Sequence, residues 1–247
     1  MSQFDYKEYY DRHRPHIHPP GATPFITFRL AGSIPKAVLR QYRAQKLWLD
    51  QESQRLVKEN ANSPSKAVEA HQARLAEFHR NWFRQFEDIL HQEQDGPMWL
   101  REDKIGSLVA NKLRQDDVEK YRLDAFCIMS NHVHTVFAPN LTETSLHEVM
   151  KPEGLRFVSD EPTLPQIMQS LKGVTARDAN LALGRSGAFW ETESYDHYVR
   201  DEAEFFRVVK YTLNNPVKAG LIKHWRDWPG NFLAEWLNDW AQSWKPS

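Results

Sequence analysis

Two β-rich segments stand only two residues apart, and this spacing constrains the fold more than any other feature of the sequence. Segments 121–129 (YRLDAFCIM) and 132–137 (HVHTVF) are separated by Ser130 and Asn131. A two-residue connection is typical of neighbouring antiparallel strands. The sequence therefore predicts a β-hairpin, and with it an antiparallel sheet.

Helices and a further strand are predicted around this hairpin. Segment 25–30 is rich in β-branched and aromatic residues and predicts a first strand. Segment 36–117 has apolar residues at helical spacing and predicts a helical insertion after that strand. Helices are also predicted at 164–182 and from Asp201 to Asn214 or Asn215, because Pro216 disfavours helix in the residue before it.

The end of the chain, 225–247, holds five tryptophans. Phe232, Trp236, Trp240 and Trp244 recur every four residues, which predicts a helical tail with one aromatic face. The periodicity favours packing on the domain, and stacking on nucleic-acid bases remains the alternative. We interpret residues 1–247 as one domain that carries the insertion and this tail.

Composition excludes several classes of protein. The 247 residues include 32 Lys and Arg against 33 Asp and Glu, so no overall positive charge marks a non-specific nucleic-acid coat or a membrane-surface binder. A single cysteine, Cys127, permits neither an internal disulfide nor a cysteine-based zinc framework. The polar N-terminal segment and the absence of a long apolar run predict a soluble, cytoplasmic protein without a membrane span.

The hairpin also carries candidate metal ligands. Residues two apart in a strand share a face, so His132 and His134 project together and can converge on one metal ion. Two ordinary surface histidines remain the alternative. His16 and His18 have the same spacing, but they lie in a proline-broken segment where nothing fixes their geometry.

Tyr211 is a candidate nucleophile because of its place on the last long helix. At 100° per residue, the apolar stripe of that helix lies roughly 150° from Tyr211. A tyrosine that fills a core would lie on the stripe, although a simple surface tyrosine would also lie off it. Asn215 is four residues on and shares the face of Tyr211, near the helix end where its side-chain oxygen could reach a metal.

These residues carry a resemblance to a known family. Segment 126–137 (FCIMSNHVHTVF) resembles the histidine–hydrophobic–histidine (HUH) motif of single-tyrosine transposases. Segment 210–222 (KYTLNNPVKAGLI) is similar to the tyrosine helix of the REP-associated tyrosine transposases. Segments 18–35, 169–180 and 189–202 fit in the same order, whereas 36–96 and the tail match poorly.

The resemblance implies a fold and an activity. The fold would be α+β, ferredoxin-like or RRM-like, with an antiparallel sheet and helices on one face. The activity would be that of a single-stranded DNA endonuclease and strand transferase that forms a 5′-phosphotyrosine. By the same resemblance, Tyr211 would be the nucleophile, and His132, His134 and Asn215 would bind a divalent metal, Mg²⁺ or Mn²⁺.

The partner implied by the resemblance is single-stranded DNA in hairpin-forming palindromic repeats. Both a monomer and a homodimer are compatible with it. Because the net charge is −1, phosphate contacts must be local. We expect them from cations on the 164–182 helix and around the tyrosine, with an ordinary solvated face as the alternative. The residues are Lys172, Arg177, Arg207, Lys210 and Lys218.

Two other functional readings stay open at this point. One is a domesticated nucleic-acid-binding protein that has kept the fold and no longer cuts. The intact set of His132, His134, Tyr211 and Asn215 favours the enzyme over this alternative. The other is a metallohydrolase built on the two histidines alone, which lacks the further ligands at obvious spacing that would close its metal site.

Overall fold

The computed structural model describes residues 22–59, 66–92, 96–140, 146–151, 154–159 and 161–244. Among the described residues, the chain forms two compact units, one within Gly32–Gly96 and the other combining residues 22–31 with the chain from Pro97 onward. The predicted N-terminal arm, with His16 and His18, lies outside the described residues.

Helices and strands alternate irregularly along the chain. They are β1 (Pro24–Arg29), α1 (Lys36–Glu59), α2 (Lys66–Gln92), α3 (Asp103–Gln115), β2 (Tyr121–Ile128), β3 (His132–Pro139), β4 (Leu146–Lys151), β5 (Gly154–Ser159), α4 (Leu164–Ala182), β6 (Tyr195–Tyr198), α5 (Glu202–Leu213), α6 (Asn215–Lys218), β7 (Asn231–Leu233) and α7 (Asn238–Gln242). Short 3-10 turns occupy Trp99–Arg101, Trp225–Asp227 and Glu235–Leu237.

The first unit contains the long helices α1 and α2. An aromatic cluster joins them, in which the Tyr42 ring stacks on Phe78 at 5.5 Å and meets the edges of Trp82 and Phe86. Of the helical insertion predicted at 36–117, α1 and α2 belong to this unit. Helix α3 belongs to the other unit and packs with α4 in the core of the sheet.

The second unit is built on a five-stranded antiparallel sheet of order β6-β1-β3-β2-β7. The predicted hairpin forms its centre, with Cys127 opposite His134. The Met129 amide N–H donates to the His132 carbonyl at 2.9 Å and closes the turn. The predicted α+β class with an antiparallel sheet is therefore confirmed.

Helices cover both faces of this sheet, which differs from the one-sided arrangement implied by the resemblance. Phe28, Val133 and Phe137 point to one face and join a core with α3 and α4. The alternate residues of β3 point the other way, where the His134 ring meets Tyr211 of α5. Because strand residues alternate between faces, α5 lies opposite α3 and α4.

The tail differs from the helix predicted for it. Phe232 lies in β7, at the edge of the sheet opposite Phe126, and stacks on that ring at 5.1 Å. Only short helical turns follow. Residues 231–233 instead pair with the edge of β2, and this pairing satisfies their backbone hydrogen-bonding groups. The four-residue spacing of the aromatic side chains does not indicate such pairing. The hairpin β4–β5 forms a separate two-stranded sheet that was not predicted from the sequence.

No helix in the described ranges combines the length and the apolar character that a membrane crossing requires.

Candidate metal and nucleophile site

The two histidines of β3 face each other. Both side chains are fully buried, and the His132 Nε2 and His134 Nε2 atoms lie 3.1 Å apart. The strand alternation that places both rings on one face also brings these two nitrogens to one point. Their convergence is the geometric feature on which a metal site depends.

The opposite nitrogen of each ring has its own partner. Asn131 Oδ1 lies 2.7 Å from His132 Nδ1, and an amide oxygen can only accept, so this Nδ1 carries the proton. Thr27 Oγ1 lies 2.7 Å from His134 Nδ1 across the β1–β3 pair. A hydroxyl can accept as well as donate, so Thr27 permits the same tautomer at His134. Both Nε2 lone pairs then point inward.

The donor set fits a divalent metal. Neighbouring nitrogen ligands of an octahedral ion, at about 2.1 Å from the metal, lie about 3.0 Å apart, close to the separation of these two atoms. Partners that orient imidazole ligands through Nδ1 are characteristic of metal sites. In the metal-free protein, a proton on one Nε2 can bridge the two rings, with Thr27 donating to Nδ1 of His134.

Tyr211 lies against this pair. Its ring meets the edge of the His134 ring at 5.7 Å between centroids. Phe25 of β1 stacks on His134 at 5.6 Å and contacts Tyr211 at 5.7 Å, so one phenylalanine holds both rings. Tyr211 is half-buried, whereas the apolar stripe of α5 is buried. The tyrosine is therefore beside the histidines and still reachable from solvent.

A buried ionic network fixes the start of α5. Asp201 caps the helix by accepting from the Glu204 amide at 2.7 Å. The fully buried Glu204 carboxylate accepts from Arg200 Nε at 3.0 Å and from its backbone amide at 2.9 Å. His197 of β6 donates from Nε2 to Glu204 Oε1 at 3.0 Å. Because β6 pairs with β1, the network ties the tyrosine helix to the sheet.

The network shifts the pKa values of its members. Burial raises the pKa of Glu204, but the hydrogen bonds from Arg200 and His197 outweigh it and lower that pKa to about 2. Burial lowers the pKa of His197, against the opposing influence of Glu204. Glu204 is thus ionised at neutral pH, and its charge is neutralised by Arg200.

Asn215, the third ligand implied by the resemblance, begins α6 with its side chain fully buried. Pro216 follows it in the first turn, and the backbone break between α5 and α6 falls at Asn214. Asn215 lies four residues from Tyr211, as predicted, immediately beyond the end of the tyrosine helix. Its role as a ligand remains a proposal.

The candidate DNA-binding cations fall into two groups. Arg207, Lys210 and Lys218 lie on α5 and α6 and are exposed. The Lys218 ammonium lies 5.5 Å from the centroid of the Tyr211 ring. These three cations are therefore on the helices that carry Tyr211 and Asn215.

Lys172 and Arg177 lie on α4, on the opposite side of the sheet from Tyr211. Lys172 Nζ donates to the carbonyl of Thr192 at 2.9 Å and to Ser194 Oγ at 3.2 Å, so it holds the loop before β6. Burial and the nearby positive charge of Arg29 lower the pKa of Lys172 to about 8. Arg177 is exposed and pairs with the adjacent Asp178 at 2.9 Å.

Three residues of the site were not found from the sequence: Thr27, Phe25 and Asn131. Phe25 and Thr27 are two residues apart in β1 and share one face, but the strand that pairs with β1 cannot be identified from the sequence of β1 alone. The register that sets Thr27 opposite His134 becomes visible only when β1 pairs with β3. Asn131 was assigned only to the turn, although its position beside His132 could have suggested a hydrogen bond.

Known proteins offer a structural comparison but no match in sequence. No sequence profile of a known protein family matches the chain, and no curated protein matches it. One similar solved structure is described as "Structure of the REP associates tyrosine transposase bound to a REP hairpin". The alignment covers 100% of this chain and 89% of that one, with 14% sequence identity and a TM-score of 0.47.

Proposed function

We propose that this protein is a metal-dependent single-stranded DNA endonuclease and strand transferase that uses Tyr211 as its nucleophile. One observation carries the proposal: the two Nε2 atoms of His132 and His134 converge to 3.1 Å, and the Tyr211 ring lies against His134. A nucleophile beside a pair of metal ligands is the arrangement that phosphodiester cleavage through a covalent intermediate needs.

The proposed reaction exchanges one phosphodiester for another. The Tyr211 hydroxyl oxygen bonds to the phosphorus, and the bond from phosphorus to the 3′ oxygen breaks. Tyr211 loses its hydroxyl proton and the leaving 3′ oxygen gains one, so the reaction neither releases nor consumes protons overall. The products are a 5′-phosphotyrosine and a free 3′-hydroxyl. A different 3′-hydroxyl can reverse the step, so strand transfer needs no ATP.

His132 and His134 would hold the metal, with Asn215 as the third ligand suggested by the sequence resemblance. When bound, a divalent ion supplies polarisation of the phosphodiester oxygen. Mg²⁺ and Mn²⁺ both suit this chemistry, and Mn²⁺ suits imidazole ligands better. Asn131 and Thr27 keep the imidazoles in the ligating tautomer. Phe25 keeps the tyrosine ring against His134.

The proposed substrate is single-stranded DNA beside a hairpin formed by palindromic repeats, as the sequence resemblance implies. Exposed Arg207, Lys210 and Lys218 supply positive charge around Tyr211 for the phosphates. We place these phosphate contacts on α5 and α6, because α4 covers the other face of the sheet.

The test is formation of a covalent adduct. The purified protein is incubated with Mn²⁺ and labelled single-stranded hairpins taken from DNA near its own gene, and the products are separated under denaturing conditions. We expect a labelled protein band and a DNA fragment ending in a 3′-hydroxyl, both abolished by EDTA and by Tyr211→Phe. Hairpin binding without any adduct would favour the non-cutting nucleic-acid-binding protein instead.

A matched control uses another aromatic residue of the same region. Tyr195 is a half-buried tyrosine of β6 whose ring meets the edge of Phe25 at 6.2 Å. Tyr195→Phe removes a hydroxyl from a neighbouring position and should leave adduct formation intact. Equal loss in both variants would indicate damage to the local packing rather than loss of a nucleophile.

A further inference from the structure

A row of opposed residues crosses the sheet on the face that carries the histidine pair. Cys127 of β2 lies opposite His134 of β3 on one side and opposite Asn231 of β7 on the other. Directly opposed residues of antiparallel strands point to the same face of a sheet. Asn231 therefore shares the α5 face with His134, from which it is separated only by β2.

The side-chain amide of Asn231 ties together the two ends of one segment. Its Nδ2 donates to the carbonyl of Leu213, the last residue of α5, at 2.9 Å and to the carbonyl of Trp225 at 2.7 Å. The last carbonyls of a helix have no partner within that helix, and the bond to Leu213 provides one. Residues 214–224 lie between these two carbonyls and include α6, which Asn215 begins.

Both bonds bear on residues of the candidate site. Tyr211 precedes Leu213 by two residues in α5, and Asn215 follows it by two. The tyrosine ring lies against His134, which shares the sheet row with Asn231. The Asn231 bridge therefore fixes the end of the tyrosine helix to the row of the sheet that carries a candidate metal ligand.

Asn231 is itself held by a tight turn against β2. The Trp228 indole N–H donates to the Ile128 carbonyl at 2.9 Å, and the Ile128 amide donates to the Gly230 carbonyl at 2.9 Å. A Cβ at Gly230 would clash with the Ile128 carbonyl, so a glycine is needed for this close approach. The turn thereby anchors Asn231 to the strand beside β3.

We infer that Asn231 is a positioning residue for the proposed reaction, whose amide bridge holds Tyr211 and Asn215 in place relative to the histidine pair. Helix α5 is held to β6 at its start by the Glu204 network, and Asn231 holds its end to β7. The helix is thus fastened to both edge strands of the sheet. A misplacement of about 1 Å at a reacting group can slow a reaction about 100-fold. The inference rests on the proposed function.

The first measurement needs no activity. The full-length protein is labelled with 3-fluorotyrosine, and the fluorine NMR signal of Tyr211 is identified by its absence in Tyr211→Phe. The rings of Phe25 and His134 lie against this residue and shift its signal from the value in urea. Asn231→Asp keeps the shape of the side chain but replaces the donor with a carboxylate that only accepts. We expect it to move or broaden the Tyr211 signal toward the value in urea.

The second measurement separates rate from binding. Adduct formation with the labelled hairpin is followed under single-turnover conditions at saturating Mn²⁺, and hairpin affinity is measured by anisotropy in EDTA. We expect Asn231→Asp to slow adduct formation about 100-fold and to leave hairpin affinity unchanged, because the bridge acts on the position of the nucleophile. A purely structural role would lower the free energy of unfolding without changing the rate of the folded protein.

A matched control is available on the other face of the sheet. Asn180 of α4 is also half-buried, and its Nδ2 donates to the Gly187 carbonyl at 2.9 Å. Asn180→Asp removes the same kind of bond and should change neither the Tyr211 signal nor the rate. Asn231→Ala removes the bridge without placing a charge beside two carbonyls, and it decides the question if Asn231→Asp does not fold.

The outcomes keep this inference distinct from the proposed function. A Tyr211 signal that is unchanged in the folded Asn231 variants would overturn the inference, whatever their rates. A signal that moves while adduct formation stays at the parent's rate would overturn it equally. If the parent itself forms no adduct, the nuclease is refuted, and the fluorine signal alone decides whether Asn231 holds the tyrosine.

Discussion

The two faces of the central sheet are built from the same strands, but they have different chemistry. On the face covered by α3 and α4, Phe28, Val133 and Phe137 are fully buried in an apolar cluster. On the face covered by α5, the neighbouring positions of those strands include Thr27, His132 and His134, which are also buried. Successive residues of one strand therefore contribute alternately to the apolar core and to the polar site.

The difference indicates how stability and function are divided. Apolar burial on the α3–α4 face is the main favourable contribution to folding. Buried polar groups on the α5 face are unfavourable unless each one has a partner, and Thr27 and Asn131 supply these partners to the histidines. Substitutions on one face should then change mainly stability, and substitutions on the other should change mainly metal binding and cleavage.

The largest expected effect is on the apolar face. Phe28→Ala removes a fully buried ring that meets Trp190 at 4.8 Å, and should lower the free energy of unfolding by about 3–5 kcal/mol. Urea unfolding followed by circular dichroism measures the change. Phe28→Leu is the control and should lose less. A loss below about 1 kcal/mol for Phe28→Ala would contradict a tightly packed core on this face.

The next effect concerns the ionic network that anchors α5. Because the pKa of Glu204 falls from 4.5 to about 2 on folding, its carboxylate contributes stability above pH 4.5 that is lost as the pH falls toward 2. Glu204→Gln should therefore be less stable than the parent by roughly 3 kcal/mol at pH 7. The difference should shrink through that acid range.

Urea unfolding at several pH values tests this dependence. Glu202 is exposed in the first turn of the same helix, so Glu202→Gln provides a charge-matched control with little change in stability. A difference between Glu204→Gln and the parent that stays constant from pH 7 to pH 3 would mean that ionisation of Glu204 does not stabilise the fold.

A smaller free-energy change, with a specific readout, is expected from Thr27→Val. The substitution keeps the shape of the side chain and removes the partner of His134 Nδ1, so Mn²⁺ affinity should fall about 10-fold or more. Thr135→Val is the matched control, because Thr135 follows His134 in the same strand and points to the other face. Isothermal titration with Mn²⁺ should show no change for the control, and equal effects of both would contradict the division between faces.

The smallest expected effect separates the two groups of cations. Arg177→Gln, on α4, should change the free energy of unfolding by less than about 0.5 kcal/mol and leave hairpin affinity unchanged. Lys218→Gln, beside Tyr211, should weaken hairpin binding and reduce its salt dependence. Anisotropy titrations of both variants with the same hairpin provide the measurement. Weaker binding by Arg177→Gln would place DNA on the α4 side as well.

Local sequence patterns predicted most of the helices and strands, but they did not predict the strand that depends on pairing with a distant part of the chain. The two-residue turn predicted the β2–β3 hairpin, and apolar periodicity predicted α4 at Leu164–Ala182. The strand β7 was not predicted, because its three residues become a strand only by pairing with β2. The helix predicted for the tail was based on a four-residue spacing of aromatic residues. In the structure the tail forms β7 and short helical turns instead.

The same limit applies to the candidate site. Strand and helix geometry was sufficient to select His132, His134 and Tyr211, since each stands out within its own element. Thr27 and Phe25 could not be selected, because their contacts with His134 depend on β1 lying beside β3. The contrast between Lys172 and Lys218 likewise depends on which face of the sheet each helix covers, and sequence spacing does not determine that face.

The most direct test of the central claim identifies the residue that becomes attached to DNA. The adduct formed with a hairpin substrate and Mn²⁺ is digested with nuclease and trypsin, and the modified peptide is sequenced by mass spectrometry. We predict one nucleotide-bearing peptide, modified through a phosphate on Tyr211. Attachment at another residue, or cleaved DNA with a free 5′-phosphate and no adduct, would contradict a tyrosine nucleophile beside the histidine pair.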